Sequence, residues 1–348
     1  MRPLDQLVVT PEILELTASI DEFKGRWQAL GRLAPERLSA LQRIATVESV
    51  GSSTRIEGAL LPDDQVERLL SGLQPRSFRS RDEQEVAGYA ELMDLVFTSW
   101  PDLPLTENHV KQLHGALLRH SDKDQRHRGR YKTLPNTVEA FDADGHSLGV
   151  VFETASPFDT PRLMTGLLDW TRRALDRREH HPLLVIAVFV VRFLAIHPFQ
   201  DGNGRLSRAL TTLLLLRAGY AYVPYASLER VVEDHKDAYY LHLRRAQATL
   251  DRGEESLGDW LAFFLRCLRR QQQTLAARLD REHVVAPLPA LSESLLALVR
   301  ERGRLTVREA VAATNANRNT VKRHLQHLVH AGHLVQRGQR RGAWYERP

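Results

Sequence analysis

One cysteine, Cys267, stands in 348 residues, so no disulfide can form within the chain. Such a chain suits a reducing compartment, and the expected location is the cytoplasm. Long apolar runs are missing too. The longest, residues 183–196, is shorter than a bilayer span and is interrupted by Arg192, so no membrane partner is expected. The opening residues, MRPLDQLVVTPEILEL, carry acids early and no continuous apolar stretch, so no signal peptide is expected. Net charge is small outside the tail. Residues 283–348 hold eleven Lys and Arg against four Asp and Glu, or +7; the total is +5, so the other 282 residues sum to −2. The basic excess points to nucleic acid at the tail alone.

What is present is an ordinary globular composition, 43% hydrophobic and 26% charged, long enough for two or more domains. The stretch that organises it is HPFQDGNGRLSR, residues 197–208. The apolar run before it is apolar all round, which predicts a buried central helix, with Pro182 in its first turn. Pro198 disfavours the α region for His197 and ends that helix at the imidazole. Gly202 and Gly204 permit a tight turn and close approach of a bulky ligand. A leucine-rich helix then begins, and its free N–H groups make an anion site. Arg205 and Arg208 lie three apart, on one face of the first turn. Each feature alone has a bland structural explanation. Together they describe a polyphosphate site with a proton acceptor beside it.

The stretch resembles the Fic family signature HxFx(D/E)GNGRxxR at every specified position. The resemblance implies transfer of a nucleotide monophosphate, usually AMP from ATP, to a hydroxyl side chain of a target protein. It implies His197 as base and Asp201 as the Mg²⁺ ligand. It also implies Gly202, Asn203, Gly204, Arg205 and Arg208 as phosphate-binding residues. Upstream, Ser53-Thr-Arg-Ile-Glu57-Gly58 is similar to the family's inhibitory pattern (S/T)xxxE(G/N). That likeness implies that Ser53 and Glu57 restrain Arg208 from a helix near residues 45–58. Residues 129–152, with an Asp144-Gly145 turn signal, predict a β-hairpin. In the family such a flap clamps the target by strand addition. Lys132 stands where the family pattern has arginine. Tyr239 and Tyr240 are candidate contacts to the nucleotide base, or core aromatics.

Helical periodicity covers residues 11–31, 35–50, 62–74, 81–98, 106–120, 160–176 and 257–280. His180 and His181 read as a solvated turn. HVVAPLPAL, residues 283–291, reads as a linker. Beyond it, residues 292–302, 306–313 and 317–331 are helical, with a capping box at Thr306 and Glu309. Gly332 ends the last helix, and a hairpin turning at Gly338 follows. The tail resembles a winged helix-turn-helix whose Arg318, Lys322 and Arg323 would contact DNA. The expected architecture is mainly α: a Fic-type helical bundle with a small β-hairpin flap, plus a C-terminal winged-helix domain. The expected division is 1–105, a helical region with the inhibitory helix; 106–282, the Fic core; 283–291, the linker; and 292–348, the winged domain. A homodimer is compatible with both resemblances. Rival functions are a nucleotide-responsive DNA-binding regulator, a Fic enzyme using another nucleotide, and one that removes AMP.

Overall fold

The computed structural model describes residues 4, 7–29, 35–72, 78, 80–141, 147–250, 257–285, 290–330, 333–338 and 343–346. Among the described residues, eleven α-helices and one hairpin precede residue 286: α1 (Pro11–Ala29), α2 (Pro35–Ile56), α3 (Asp63–Ser71), α4 (Arg81–Ser99), α5 (Glu107–Leu117), β1 (Thr137–Phe141), β2 (Ser147–Glu153), α6 (Thr160–Arg177), α7 (Pro182–Ile196), α8 (Asn203–Arg217), α9 (Leu228–Asp234), α10 (Lys236–Gln247) and α11 (Gly258–Val285). Contacts divide the chain into two compact units, Met1–Ala276 and Ala277–Pro348. The boundary expected at residue 105 falls inside the first unit, where α2 packs against α4 and α9 and α4 against α8. Among the described residues no helix is long and apolar enough to cross a membrane.

The apolar run becomes α7, and all its residues but Arg192 and Ala195 are buried. It is started by Pro182 and by His181, whose Nδ1 accepts from the Leu183 N–H. The other ring nitrogen of His181 meets Asp21 at 2.9 Å. His181 is therefore a helix cap, and no group of three metal-ligating side chains forms among the described residues. Helix α2 runs to Ile56, covering the helix expected near residues 45–58; Gly58, at φ +102°, makes the turn where only glycine is unstrained. Strands β1 and β2 pair antiparallel with two irregularities in register. Their expected Asp144-Gly145 turn lies outside the described residues.

In the second unit, α12 (Ala290–Arg302), β3 (Arg304–Thr306), α13 (Val307–Thr314), α14 (Arg318–His330), β4 (Val335–Arg337) and β5 (Trp344–Glu346) surround a core that includes Leu295, Val299, Leu305, Val321, Leu325, Leu328 and Tyr345. The sheet order is β3-β5-β4, antiparallel throughout. The capping box forms as expected at Thr306 and Glu309. Strand β3 was not expected, and the linker is shorter than expected. Helix α11 continues to Val285 and α12 begins at Ala290, so helix takes both ends of residues 283–291. Gly332 lies outside the described residues.

Candidate active site

His197 sits at the end of α7 in the left-handed region, φ +51° and ψ +61°. Its N–H closes the last turn onto the Phe193 carbonyl at 2.9 Å. Phe199 then turns inward, fully buried, and stacks on His114 of α5 with ring centroids 3.8 Å apart. Asn203 closes the loop: its Oδ1 accepts from the Phe199 N–H (2.9 Å) and its Nδ2 donates to the Phe199 carbonyl (2.7 Å). Both ends of the amide are thereby used. The side chain expected on phosphate also clamps the loop, and the second Nδ2 hydrogen and the backbone N–H remain beside the helix start. Gly202, at φ +80°, is the first cap of α8 and supplies no side-chain bond there.

The acidic residue of the loop is ringed by cations. Asp201 Oδ1 accepts from the Gly202 N–H (2.6 Å) and from Arg205 (3.3 Å). Its Oδ2 meets Lys123 at 3.2 Å and Arg81 at 3.8 Å. Burial pushes the Asp201 pKa up; Arg205 and Lys123 outweigh it, so the carboxyl titrates below its ordinary value. Arg205 is buried and also meets Glu85 of α4 at 3.1 Å. His114 holds the loop from behind, its Nε2 at 3.0 Å from the Asp201 carbonyl and its Nδ1 accepting from the Gly129 N–H. Since Nδ1 accepts, Nε2 carries the proton; burial pushes the ring's pKa down to about 4, and it stays neutral. Neither Glu85 nor His114 stood out in the sequence. Each is one polar residue on an amphipathic helix, and only tertiary packing gives it a partner.

Glu57, just past α2, lies over the start of α8. Arg208 Nη2 donates to Glu57 Oε1 (2.8 Å) and to the Ser53 carbonyl (2.9 Å), while its Nε donates to Ser53 Oγ (2.9 Å). Burial works to raise the Glu57 pKa, but the Arg208 guanidinium overcomes it and the carboxyl titrates low. Glu57 also occupies the space beside Gly204, where a Cβ would collide with its carboxylate. The carboxylate thus rests on the bare backbone of the glycine turn. A second ion cluster fastens the end of α2. Arg55 pairs with Glu233 of α9 through Nε (2.6 Å) and Nη2 (3.0 Å), and with Asp63 of α3 at 3.0 Å. Arg230 bonds both of those acids. Gly51 makes room for it, since a Cβ there would meet Arg55 Nη1 at 2.7 Å and Asp63 Oδ1 at 2.8 Å.

The imidazole of His197 faces this assembly. Its Nδ1 is buried without a hydrogen-bond partner among the described residues. The C-terminal end of α7 favours the imidazolium, yet burial, helped by the Lys132 ammonium, pushes its pKa down to about 4. At neutral pH the ring is an unprotonated base. Tyr239 does not present a free face: it is 5% exposed and packs edge-on against Tyr240 (5.3 Å) and Trp260 (5.7 Å). With Arg208, Trp260 and Phe263 it lines an apolar cavity. Tyr240 is half-buried. In the second unit, Arg318, Lys322 and Arg323 are exposed on α14. The geometry brings together a neutral base, a carboxylate, an open helix start and two arginines, one paired by structure-bearing acids and one by Glu57.

Comparison with known proteins agrees with this geometry. Residues 104–215 match the Fic/DOC family, and residues 288–346 match a bacterial protein family of unknown function, DUF977. The chain is 28% identical over 231 residues to the protein adenylyltransferase Fic of Drosophila willistoni, covering 66% of this chain and 42% of that protein. Against the Aedes aegypti protein of the same name it is 30% identical over 144 residues, covering 40% and 25%. The chain thus spans less than half the length of these relatives. A crystal structure of a Fic family protein from Desulfovibrio desulfuricans G20 superposes with a TM-score of 0.62 at 25% identity, over 98% of this chain and 97% of that one. Fic-1 of C. elegans, residues 134–508, shares the fold at 19% identity and a TM-score of 0.57, over 76% and 71%. Base, glycine turn and paired arginines therefore lie within the stretch, residues 104–215, that matches the Fic/DOC family.

Proposed function

We propose that the chain is a protein adenylyltransferase, moving AMP from ATP to a hydroxyl side chain of a target protein and restrained by Glu57. The observation that carries this reading is the Glu57 carboxylate on Gly204 and Arg208, an internal anion lying in an anion cradle next to a neutral imidazole. His197 takes the proton as the target oxygen bonds to the α-phosphorus and the bond to the pyrophosphate leaving group breaks. The backbone N–H groups of Gly202, Asn203 and Gly204 stabilise charge on the phosphate oxygens. Arg205 faces the leaving pyrophosphate, and Arg208 takes the γ-phosphate once Glu57 has left it.

The residues present fit Mg²⁺. One Asp201 oxygen is held only by Lys123 and Arg81, whose side chains are 51% and 60% exposed and can swing away. A single carboxylate with phosphate oxygens and water suits the ion's octahedral habit, and the ion would neutralise phosphate charge. The test is incubation of the wild type and Glu57→Gly with Mg²⁺ and ATP labelled at the α- or the γ-phosphate. Transfer of α-label, with a mass increase of one AMP, supports the reading; transfer of γ-label alone would replace it with phosphotransfer.

For the second unit we propose a winged helix-turn-helix that reads DNA with α14. The element order, the sheet order and the three exposed basic residues support it. Charge reversal at Arg318, Lys322 and Arg323 should abolish a gel shift on genomic fragments; an unchanged shift would remove the proposal.

A further inference from the structure

Lys132 is the buried side chain that this account leaves unused. It is 3% exposed, and its ammonium has neutral acceptors: Asn136 Oδ1 (2.8 Å), Thr154 Oγ1 (2.8 Å) and the Ile196 carbonyl (3.1 Å). All three of its N–H donors are spent on them. Burying a charge without a counter-ion is costly, so its position calls for a reason. The backbone supplies one. The Lys132 N–H donates to the Pro198 carbonyl at 2.9 Å. Lys132 therefore grips the carbonyls directly before and directly after His197, one by side chain and one by main chain. Between them His197 adopts φ +51°, a conformation that is strained for a non-glycine residue and persists only where its surroundings over-determine it.

The other two acceptors stand at the feet of the hairpin. Asn136 directly precedes β1 and Thr154 directly follows β2. Thr154 Oγ1 also donates to the Asn136 carbonyl (2.6 Å), and Asn136 Nδ2 donates to the Phe199 carbonyl (2.8 Å). One ammonium thus joins both feet of the hairpin to the loop that carries the base.

We infer that Lys132 is a positioning residue for the transfer proposed above, fixing His197 and the β1–β2 hairpin as one rigid piece so that a target held by the hairpin meets the base in register. The inference rests on reading His197 as that base. The charge contributes as well as the clamp. The ionisable groups facing His197 are Lys132, Glu57 and Asp201; the two carboxylates favour the imidazolium, and Lys132 opposes them.

The experiment uses the full chain carrying Glu57→Gly, with Lys132→Met, Lys132→Gln and Lys132→Arg added singly. The His197 titration is followed by NMR of labelled histidine, and AMP transfer is followed against pH. Lys132→Met should move the His197 titration upward from about 4 toward its ordinary 6.5, by roughly one unit for one lost like charge. It should also cut transfer at neutral pH by roughly 10²-fold through kcat, with little change in KM for ATP. Lys132→Gln should shift the titration equally, and it decides the matter should the Met variant not fold. Lys132→Arg should restore both within a few-fold. A titration and rate unmoved by Met and Gln would overturn the inference, as would a fall in Tm with the titration unmoved. Should none of these proteins transfer AMP, the proposed function falls, while the histidine titration still judges Lys132.

Discussion

Helices α8 and α13 begin in opposite ways. At α13 the start is closed by its own residues: the Glu309 N–H donates to Thr306 Oγ1 (3.3 Å), and the Thr306 N–H donates to Glu309 Oε2 (2.8 Å). At α8 the first cap is a glycine with no side chain to offer, Gly204 is bare, and the anion is borrowed from beyond the end of α2. A helix start closed within four residues is architecture. One that borrows its anion from a distant element is a site, because that occupant can be exchanged for another.

Four tests break or sharpen this contrast. The largest effect is expected for His197→Ala, which in the Glu57→Gly background should lower AMP incorporation by ~10²–10⁴-fold. Transfer that survives it would mean the open start serves some other chemistry. Glu57→Gly itself should raise automodification. A partly buried charge-assisted bond is worth ~1.5–3 kcal/mol, or roughly 10–150-fold in release of Arg208. Labelling equal to wild type would make Glu57 a mere cap. Arg55→Ala or Glu233→Gln loosens the tether of α2 while leaving Glu57 in place. The expectation is a rise of about 2–10-fold, given pairs that are only half-buried, and no further rise when combined with Glu57→Gly. An additive rise in the double variant would show that the tether acts elsewhere. The smallest effect is for Thr306→Ala. Thermal unfolding should report a loss of ~0.5–2 kcal/mol in the second unit, with AMP transfer unchanged.

The parts of the site that the sequence makes visible are those written in consecutive residues. The apolar run of α7, the glycine turn and the paired arginines of α8 are local patterns, and the structure places them side by side. Glu57 is legible only through its short motif, since a glutamate before a glycine is otherwise an ordinary helix end. The supporting role of three further residues is invisible in the sequence, although Lys132 is noticeable there as a departure from the family pattern. Glu85, His114 and Lys132 lie on separate elements, with no spacing that links them to residues 197–208, and only packing brings them there. Asn203 shows a different limit: its place in the motif suggested a ligand contact, and nothing in the sequence signalled that its amide also satisfies the Phe199 backbone. Strand β3 escaped because three residues beside a glycine carry no alternation to read. The expected linker is shorter because α11 continues to Val285 and α12 begins at Ala290.

Gly51 has a consequence for anyone who would stabilise this protein. A glycine inside a helix costs ~0.5–1 kcal/mol relative to alanine, so routine sequence repair would replace it. Here the missing methyl is the berth of the Arg55–Asp63 pair. The sturdier helix would come with a looser grip on its own final turn, and a variant chosen for heat tolerance would be expected to emerge leaky.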